Sequence, residues 1–419
     1  MFLLWLIMRK NIFLFCLFLF SFFLTIKSWS DLSSDTIYLT WKGDPTTTMT
    51  VQWISSLDQR ASVVFYREKN QNRWFRMIGE TSPLPFSSKY FIHSVELTAL
   101  QPATEYIFKI ITDAQEYLFQ TMPADLHSSI QFVEGGDMYH DEIAFVARTC
   151  QEAAKHSPDF ALLGGDIAYA VSSARDKHQD IERWITWIKN WHSTMVTPQG
   201  RLIPVLSAIG NHDLIGHYDQ TLAQAALFKA LFPSSNEKTY RTVDFGNYLS
   251  LFILDSGHAQ PIGGEQTRWL HFNLKQRLNI SHRFAVYHVP AYPAVRPFHN
   301  KQSVAIRRFW VPFFERGNIQ LAFEHHDHAY KRTHPLLHNR IHSQGVIYLG
   351  DGGWGVEKMR QPRKHLPNKM YIAQSASERH FIQVILTPFS QIFKVMTDQG
   401  ELIDRLDHFL QVEESILQN

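Results

Sequence analysis

From Asp31 to Ala124 apolar and polar positions alternate in short runs broken by turn residues. Thr36 to Trp41, Met49 to Ser55, Ala61 to Tyr66, Phe91 to Leu97, Glu105 to Thr112 and Tyr117 to Gln120 are rich in β-branched and aromatic side chains. A period of two in such residues predicts strands. Gly43-Asp44-Pro45 and Gln101-Pro102-Ala103-Thr104 supply turns between them. Six or seven strands in about 90 residues predict an all-β sandwich of fibronectin or immunoglobulin type. No cluster of titratable side chains falls in this stretch, so it is read as a scaffold or wall.

The pattern changes after Thr121-Met122-Pro123-Ala124. Apolar runs at Ile130 to Val133, Ala161 to Leu163, Ile203 to Ala208, Leu249 to Leu254, Phe284 to Tyr287 and Ile319 to Phe323 now alternate with helical periodicity. Helices are predicted over Asp141 to His156, Asp176 to Ser193, Gln220 to Leu231, Gly264 to Gln276 and Gln302 to Gly317. The alternation predicts an α/β domain. Strands return at Val346 to Leu349, Lys369 to Gln374, His380 to Leu386 and Gln391 to Thr397, which two sheets flanked by helices would accommodate. The resulting division is a leader over 1–30, a β-sandwich over 31–124, an α/β domain over 125–405 and a tail over 406–419.

The leader has the composition of a signal peptide: basic Arg9 and Lys10, an apolar stretch from Ile12 to Ile26, and Ser28 and Ser30 before Asp31. The apolar run is shorter than a bilayer span needs, so export to the periplasm, cell surface or medium is expected, with no membrane span once the leader is removed. Retention of the leader as an anchor is the competing reading. Of two cysteines, Cys16 lies in the leader and Cys150 on a helical stretch, leaving the mature chain no internal disulfide. The formal charge of +2 gives no reason to expect nucleic acid or an acidic membrane as partner. The 22 histidines matter only where they cluster.

They cluster at loops that follow apolar strands, where α/β sheets build their sites. Gly135 to His140 (GGDMYH), Gly165 to Ala170 (GDIAYA), Gly210 to Asp213 (GNHD), Val286 to Pro290 (VYHVP) and His325 to Tyr330 (HHDHAY) carry Asp137, Asp166, Tyr169, Asn211, His288, His326 and His328. Such a set suits two cations about 3.5–4 Å apart, whose repulsion requires a bridging anion. Asp166 is the natural bridge. Histidines supply neutral donors for borderline metals such as zinc or iron. Tyr169 as a ligand points to ferric iron, because a phenolate is hard and anionic, and predicts a visible charge-transfer colour.

These five segments resemble those of the purple acid phosphatases, within the calcineurin-like metallophosphoesterase superfamily. Leu39 to Thr50, Leu97 to Tyr106, Phe119-Gln120-Thr121, Asp244 to Asn247, Leu254-Asp255 and Glu265 to Leu270 are also similar to family segments. The resemblance covers most of the mature chain. It implies a β-sandwich followed by a metallophosphoesterase domain of two mixed sheets flanked by helices. It places Asp137, Asp166, Tyr169 and His328 around a ferric ion, and Asp166, Asn211, His288 and His326 around a second, divalent ion (Zn, Mn or Fe). It implies that His212 contacts the substrate phosphate, with Asp213 placed to orient its imidazole. Three positions depart from the family pattern: Tyr139 and His325 stand where glycine is usual, and the proton-donating histidine is displaced, leaving His299 as the nearest substitute.

The activity so implied is acid hydrolysis of small phosphate monoesters. The metals acidify a bound water that attacks phosphorus in line, His212 stabilises the equatorial charge, and His299 or a water protonates the leaving alcohol. Turnover at mildly acidic pH is expected. Two alternatives stay open: a phosphodiesterase or nucleotide-cleaving enzyme on the same scaffold, and a metal- or phosphate-binding surface protein that no longer turns over. The physiological substrate, the second metal and the oligomeric state are open.

Overall fold

The computed structural model describes residues 32–56, 61–350, 352–363 and 366–410. The leader, residues 1–30, lies outside these. No described helix is long and apolar enough to cross a membrane.

The first domain is a sandwich of two antiparallel four-stranded sheets. One orders Tyr38–Thr40, Met49–Ser55, Phe91–Leu97 and Glu80–Pro83; the other orders Phe75–Ile78, Val63–Glu68, Glu105–Ile110 and Tyr117–Gln120. Alternation does the work expected of it: Tyr106, Phe108 and Ile110 turn inward while their neighbours are half-buried. The strands Phe75–Ile78 and Glu80–Pro83 were not legible in the sequence. Their residues are mostly exposed, so no apolar period marks them.

Two mixed sheets form the second domain. The six-stranded sheet orders Val205–Ser207, Phe160–Leu163, Ile130–Gly135, His380–Thr387, Ser390–Thr397 and Leu402–Phe409. The seven-stranded sheet orders Arg241–Phe245, Leu249–Ile253, His282–Val286, Leu321–Glu324, Ile347–Gly350, Tyr330–Thr333 and Ile372–Ala376. Phe132, Phe284, Phe323 and Phe393 fill the space between them, with Phe132 and Phe323 rings edge-on at 6.3 Å. The last strand ends at Phe409, so residues 406–409, expected in a tail, complete the sheet edge.

The helices fall near their predicted places, with three differences. The helix predicted from Asp176 begins only at Ile181, capped by Asp180. Of Gln220 to Leu231 only Ala226–Leu231 is α-helical. Gln302 to Gly317 is two helices, Lys301–Phe309 and Val311–Arg316, broken at Trp310. Pro312 opens the second, where its missing N–H costs nothing. Cys150 is buried in the helix Ile143–Lys155, and burial pushes its thiol up to about 12, which makes it inert packing.

The two domains are knitted by side chain to backbone bonds. Tyr38 Oη donates to Leu231 O at 2.9 Å, Thr40 Oγ1 to Val205 O at 2.7 Å, and Arg241 Nη1 to Trp41 O at 2.7 Å. The Trp41 ring stands edge-on to Phe160 and Phe245 of the second domain. The sandwich thus braces the sheet edges without reaching the loops that carry the candidate ligands.

Candidate metal centre

Every predicted ligand lies on a loop at the carboxyl end of a strand in one of the two mixed sheets. Asp137 follows Ile130–Gly135, Asp166 and Tyr169 follow Phe160–Leu163, and Asn211 follows Val205–Ser207, all from the six-stranded sheet. His288 follows His282–Val286, and His326 and His328 follow Leu321–Glu324, from the other. The parallel strands point their ends the same way within each sheet. Face-to-face packing then brings five loops together.

The backbone there is unusual. Asp137, Asp166, Tyr169, His326 and His328 all have positive φ, from 48° to 76°. Side-chain-bearing residues avoid this region, and such strain gathers at functional sites. The turns it makes carry the ladder past the strand ends: Asp137 N donates to Gly165 O at 3.0 Å and Met138 N to Asp166 O at 2.9 Å.

The seven residues form two groups that touch. In the first, Tyr169 Oη is 3.0 Å from both Asp137 Oδ1 and His328 Nε2, and His328 Nε2 is 2.9 Å from Asp137 Oδ1. In the second, His288 Nε2 is 3.1 Å from each of Asn211 Oδ1, His326 Nδ1 and Asp166 Oδ2. The groups are linked because His326 N donates to Asp137 Oδ2 at 2.9 Å. Asp137 and Asp166 are wholly buried, and the other five residues are buried too.

Tautomers follow from the outer partners. His288 Nδ1 donates to Gly164 O at 2.9 Å, and against burial the Asp166 and Asp137 carboxylates raise the ring to about 9, so that without a metal Nε2 also carries a proton, directed at Asp166. Tyr218 Oη lies 3.3 Å from both Asn211 Oδ1 and His326 Nε2. With the hydroxyl donating to Asn211 it accepts from His326 Nε2, leaving a lone pair on His326 Nδ1. Four potential ligand atoms therefore meet, with Asn211 Oδ1, His326 Nδ1 and Asp166 Oδ2 each 3.1 Å from His288 Nε2. Among the described residues Asp166 Oδ2 has no other donor. A cation would take the place of the His288 proton among these atoms, so the residues present fit a metal ion. The first group fits a second: burial alone would raise Asp137, yet the His328 and His288 rings hold it at about 2, ready as an anion. A Cβ on Gly352 would fall 1.8 Å from Asp137 Oδ2, so only glycine leaves that carboxylate its place.

The remaining predicted residues separate. His212 stays at the centre: its N–H donates to Asp166 Oδ1 at 2.7 Å and its ring stacks on Tyr169 at 4.4 Å. Its Nδ1 faces Val171 O at 2.5 Å, not Asp213. The orienting role expected of Asp213 is corrected accordingly. Asp213 accepts from Gly210 N, Asp166 N and Ile167 N at 2.8–2.9 Å, so it clamps the second and third ligand loops instead. Burial and then the neighbouring Asp166 carboxylate push it up to about 7. His299 is exposed before the helix Lys301–Phe309, and its ring meets Phe298. Arg296 is the residue of this loop that reaches the ligands, its Nη2 3.3 Å from His326 O.

The two glycine replacements point away from the ligand atoms. The Tyr139 ring lies under the Arg183 guanidinium at 4.0 Å. His325 is buried behind the ligands, with Nε2 2.6 Å from Glu134 Oε1 and Nδ1 3.1 Å from Tyr287 O. Its imidazole occupies the space beside Gly136 and Gly164, where any Cβ would overlap it. Sequence reasoning did not find Tyr218, Arg296 or the Glu134–His325 pair.

Comparison with known proteins agrees with this architecture. The family profile described as "Purple acid Phosphatase, N-terminal domain" matches residues 34–121, and that of "Calcineurin-like phosphoesterase" matches residues 124–330. Among curated relatives, "Probable purple acid phosphatase 20" of Arabidopsis thaliana is 27% identical over 62% of this chain. That match spans 60% of the relative's own length, less than two thirds. "Acid phosphatase type 7" of Mus musculus is 22% identical over 80% of this chain and 81% of its own. The solved structure of a purple acid phosphatase from yellow lupin (Lupinus luteus) seeds superposes with a TM-score of 0.70 at 16% identity, over 89% of this chain and 73% of that one. With the two profiles in tandem and the fold matched across both domains, the chain belongs to the purple acid phosphatase family of calcineurin-like phosphoesterases.

Proposed function

We propose that this chain is a dinuclear metal-dependent hydrolase of phosphate monoesters. The observation that carries the reading is the convergence of metal-ligating atoms, Asp166 Oδ2, Asn211 Oδ1, His288 Nε2 and His326 Nδ1, beside a second group of Asp137, Tyr169 and His328. Asp137, Asp166, Tyr169 and His328 would hold one ion, and Asp166, Asn211, His288 and His326 the other. The Tyr169 phenol favours ferric iron in the first place, and the neutral donors favour a divalent ion in the second. When bound, the pair supplies Lewis acidity that polarises phosphoryl oxygens and acidifies water.

The chain's own residues do the rest. Asp213 holds the Asp166 and Asn211 loops in one register through three backbone donors. His212 Nδ1 donates to Val171 O. That bond fixes the ring plane and leaves Nε2 as the ring atom available to a phosphoryl oxygen. Tyr169 and His328 are buried, so the charge at the first group sits in a poorly solvated setting, where it acts more strongly. His299 is exposed with its ring against Phe298, and no contact ties it to the ligand cluster among the described residues. Water supplies the proton for the leaving alcohol.

The test measures bound metal and turnover of phenyl phosphate together in the wild type, Asp166→Asn and His326→Ala. Both variants should lose turnover by orders of magnitude while remaining folded. Full activity in both excludes the dinuclear reading. The loaded wild type should absorb in the visible, and Tyr169→Phe should lose that band; a colourless, fully active protein removes the ferric phenolate. A bis-ester run beside the monoester distinguishes a diesterase.

A further inference from the structure

The loop between the strand His282–Val286 and the helix Lys301–Phe309 carries a guanidinium to the second ligand group. The loop backbone is held from two sides. Val295 N and Arg296 N both donate to Asp327 Oδ2, and Asp327 is wholly buried between the ligands His326 and His328. The buried Lys369 ammonium donates to Pro293 O and Arg296 O. Tyr371 Oη donates to Pro293 O at 2.7 Å, and Arg363 N to Ala294 O at 3.0 Å. All of these bonds use backbone groups of the loop, so they fix the place of Arg296 without using its side chain.

From this frame the Arg296 side chain runs along the His326 turn. Its Nη2 donates to His326 O at 3.3 Å, and its Nε lies 3.4 Å from Asp327 Oδ1. Those contacts occupy at most two of the five guanidinium N–H groups. The side chain is 33% exposed, so the remaining donors are open to a ligand. The charge reaches into the site. Burial and then Arg296 push the His326 ring well below its ordinary value, and Arg296 opposes the rise that burial and Asp166 impose on Tyr218. A guanidinium so placed would be repelled by cations bound at His326. Asp327 offsets one unit of that charge, and an anion shared between the guanidinium and the metals would remove the conflict. A phosphoryl group is such an anion, and the planar fork of arginine matches two of its oxygens.

We infer that Arg296 is a substrate-binding residue, donating from its guanidinium to a phosphoryl oxygen at the second ligand group while His212 reaches the same phosphate from the Tyr169 side. The inference rests on the phosphatase reading above. Arg296 would act on charge alone, since a guanidinium does not give up its proton in a protein.

The experiment uses the metal-loaded full chain as wild type, Arg296→Gln and Arg296→Ala. It measures equilibrium binding of inorganic phosphate, KM for phenyl phosphate and, by chelator competition, divalent-metal affinity. Both variants keep the backbone bonds of the loop. Phosphate affinity should fall about tenfold or more in each, and KM should rise by a similar factor, because a charge-assisted bond to an anion is lost. Metal affinity should stay the same or increase, because a repelling charge is gone. A fall of about 10–100-fold in metal affinity would make Arg296 a support of the His326 turn and overturns the assignment. Phosphate bound as tightly in both variants as in the wild type also overturns it, and leaves the phosphatase reading standing. A metal-loaded wild type that neither binds phosphate nor turns over phenyl phosphate overturns both readings.

Discussion

His325 stands where the family uses glycine, and its removal gives the sharpest test of how this chain compensates. Glu134 is wholly buried; its Oε1 meets only His325 Nε2, at 2.6 Å, and its Oε2 has no hydrogen-bond partner. Burial raises this carboxyl above its ordinary value of 4.5, and His325 opposes the rise. In His325→Ala the opposing group is gone and the carboxyl is left dry. Its least costly state is then the neutral acid. Holding a carboxyl neutral costs about 1.4 kcal/mol for each pH unit above its ordinary value. From 4.5 the ceiling is about 4 kcal/mol at pH 7.5 and about 0.7 kcal/mol at pH 5. The sign is that of an acid with a raised folded value: the folded state binds the extra proton, so the deficit grows as pH rises. To this is added a term of about 2 kcal/mol for the space left beside Gly136 and Gly164, independent of pH. Urea unfolding of metal-free protein at both pH values should show a deficit larger at pH 7.5 by up to about 3 kcal/mol. Adding Glu134→Gln should remove that difference and leave the packing term. A deficit equal at both pH values and untouched by Glu134→Gln refutes the pair as a charge-compensating unit.

Two further outcomes follow from the site and its support. Tyr218→Phe deletes the hydroxyl that lies 3.3 Å from both Asn211 Oδ1 and His326 Nε2, and should weaken divalent-metal affinity by about 10–100-fold in chelator competition; unchanged affinity removes its orienting role. His282 joins the two mixed sheets, its Nε2 donating to Thr387 O and its Nδ1 accepting from Gln391 Nε2, both at 3.0 Å. Burial lowers it from 6.5 to about 4, so its contribution is complete above pH 6.5 and lost as pH falls toward 4. His282→Gln should flatten that acid loss by up to about 3 kcal/mol in unfolding titrations, and an unchanged profile would locate the acid-sensitive group elsewhere.

The parts of this molecule legible in the sequence are those with a local signature. A run of apolar residues ending in Gly-Gly-Asp shows both a buried strand and the loop after it, so Asp137 and Asp166 were visible as pairs of strand end and carboxylate. The Tyr218 hydroxyl was not, because His326 lies 108 residues away and no spacing connects them. The same is true of Glu134 and His325, 191 residues apart, whose only trace is the glycines that make room for a ring. Local periodicity also overreached. Gln220 to Ala225 has helical composition, but Gln220 N is held by His258 O and the helix begins only at Ala226. Distance along the chain points to His299, whereas the fold turns Arg296 inward and leaves His299 in solvent.

The positive φ at five ligand positions has a consequence that separates backbone strain from ligand chemistry. At an ordinary position, glycine is less stable than alanine by about 0.5–1 kcal/mol, because it loses more backbone freedom on folding. In the left-handed region the order inverts, since a Cβ there crowds the following carbonyl by roughly 1–2 kcal/mol. His328 has φ 56° and is buried. His328→Ala and His328→Gly both delete the imidazole and its contacts to Asp137 and Tyr169, so both should lose metal at the first group. They differ in one methyl group on a strained backbone. In metal-free protein the glycine variant should therefore be the more stable by about 0.5–1 kcal/mol, measured by urea unfolding with matched slopes. If alanine is instead the more stable, the loop does not keep its left-handed turn without metal. The cations would then shape the ligand loops, and preorganisation by the Asp213 bonds would be the wrong account.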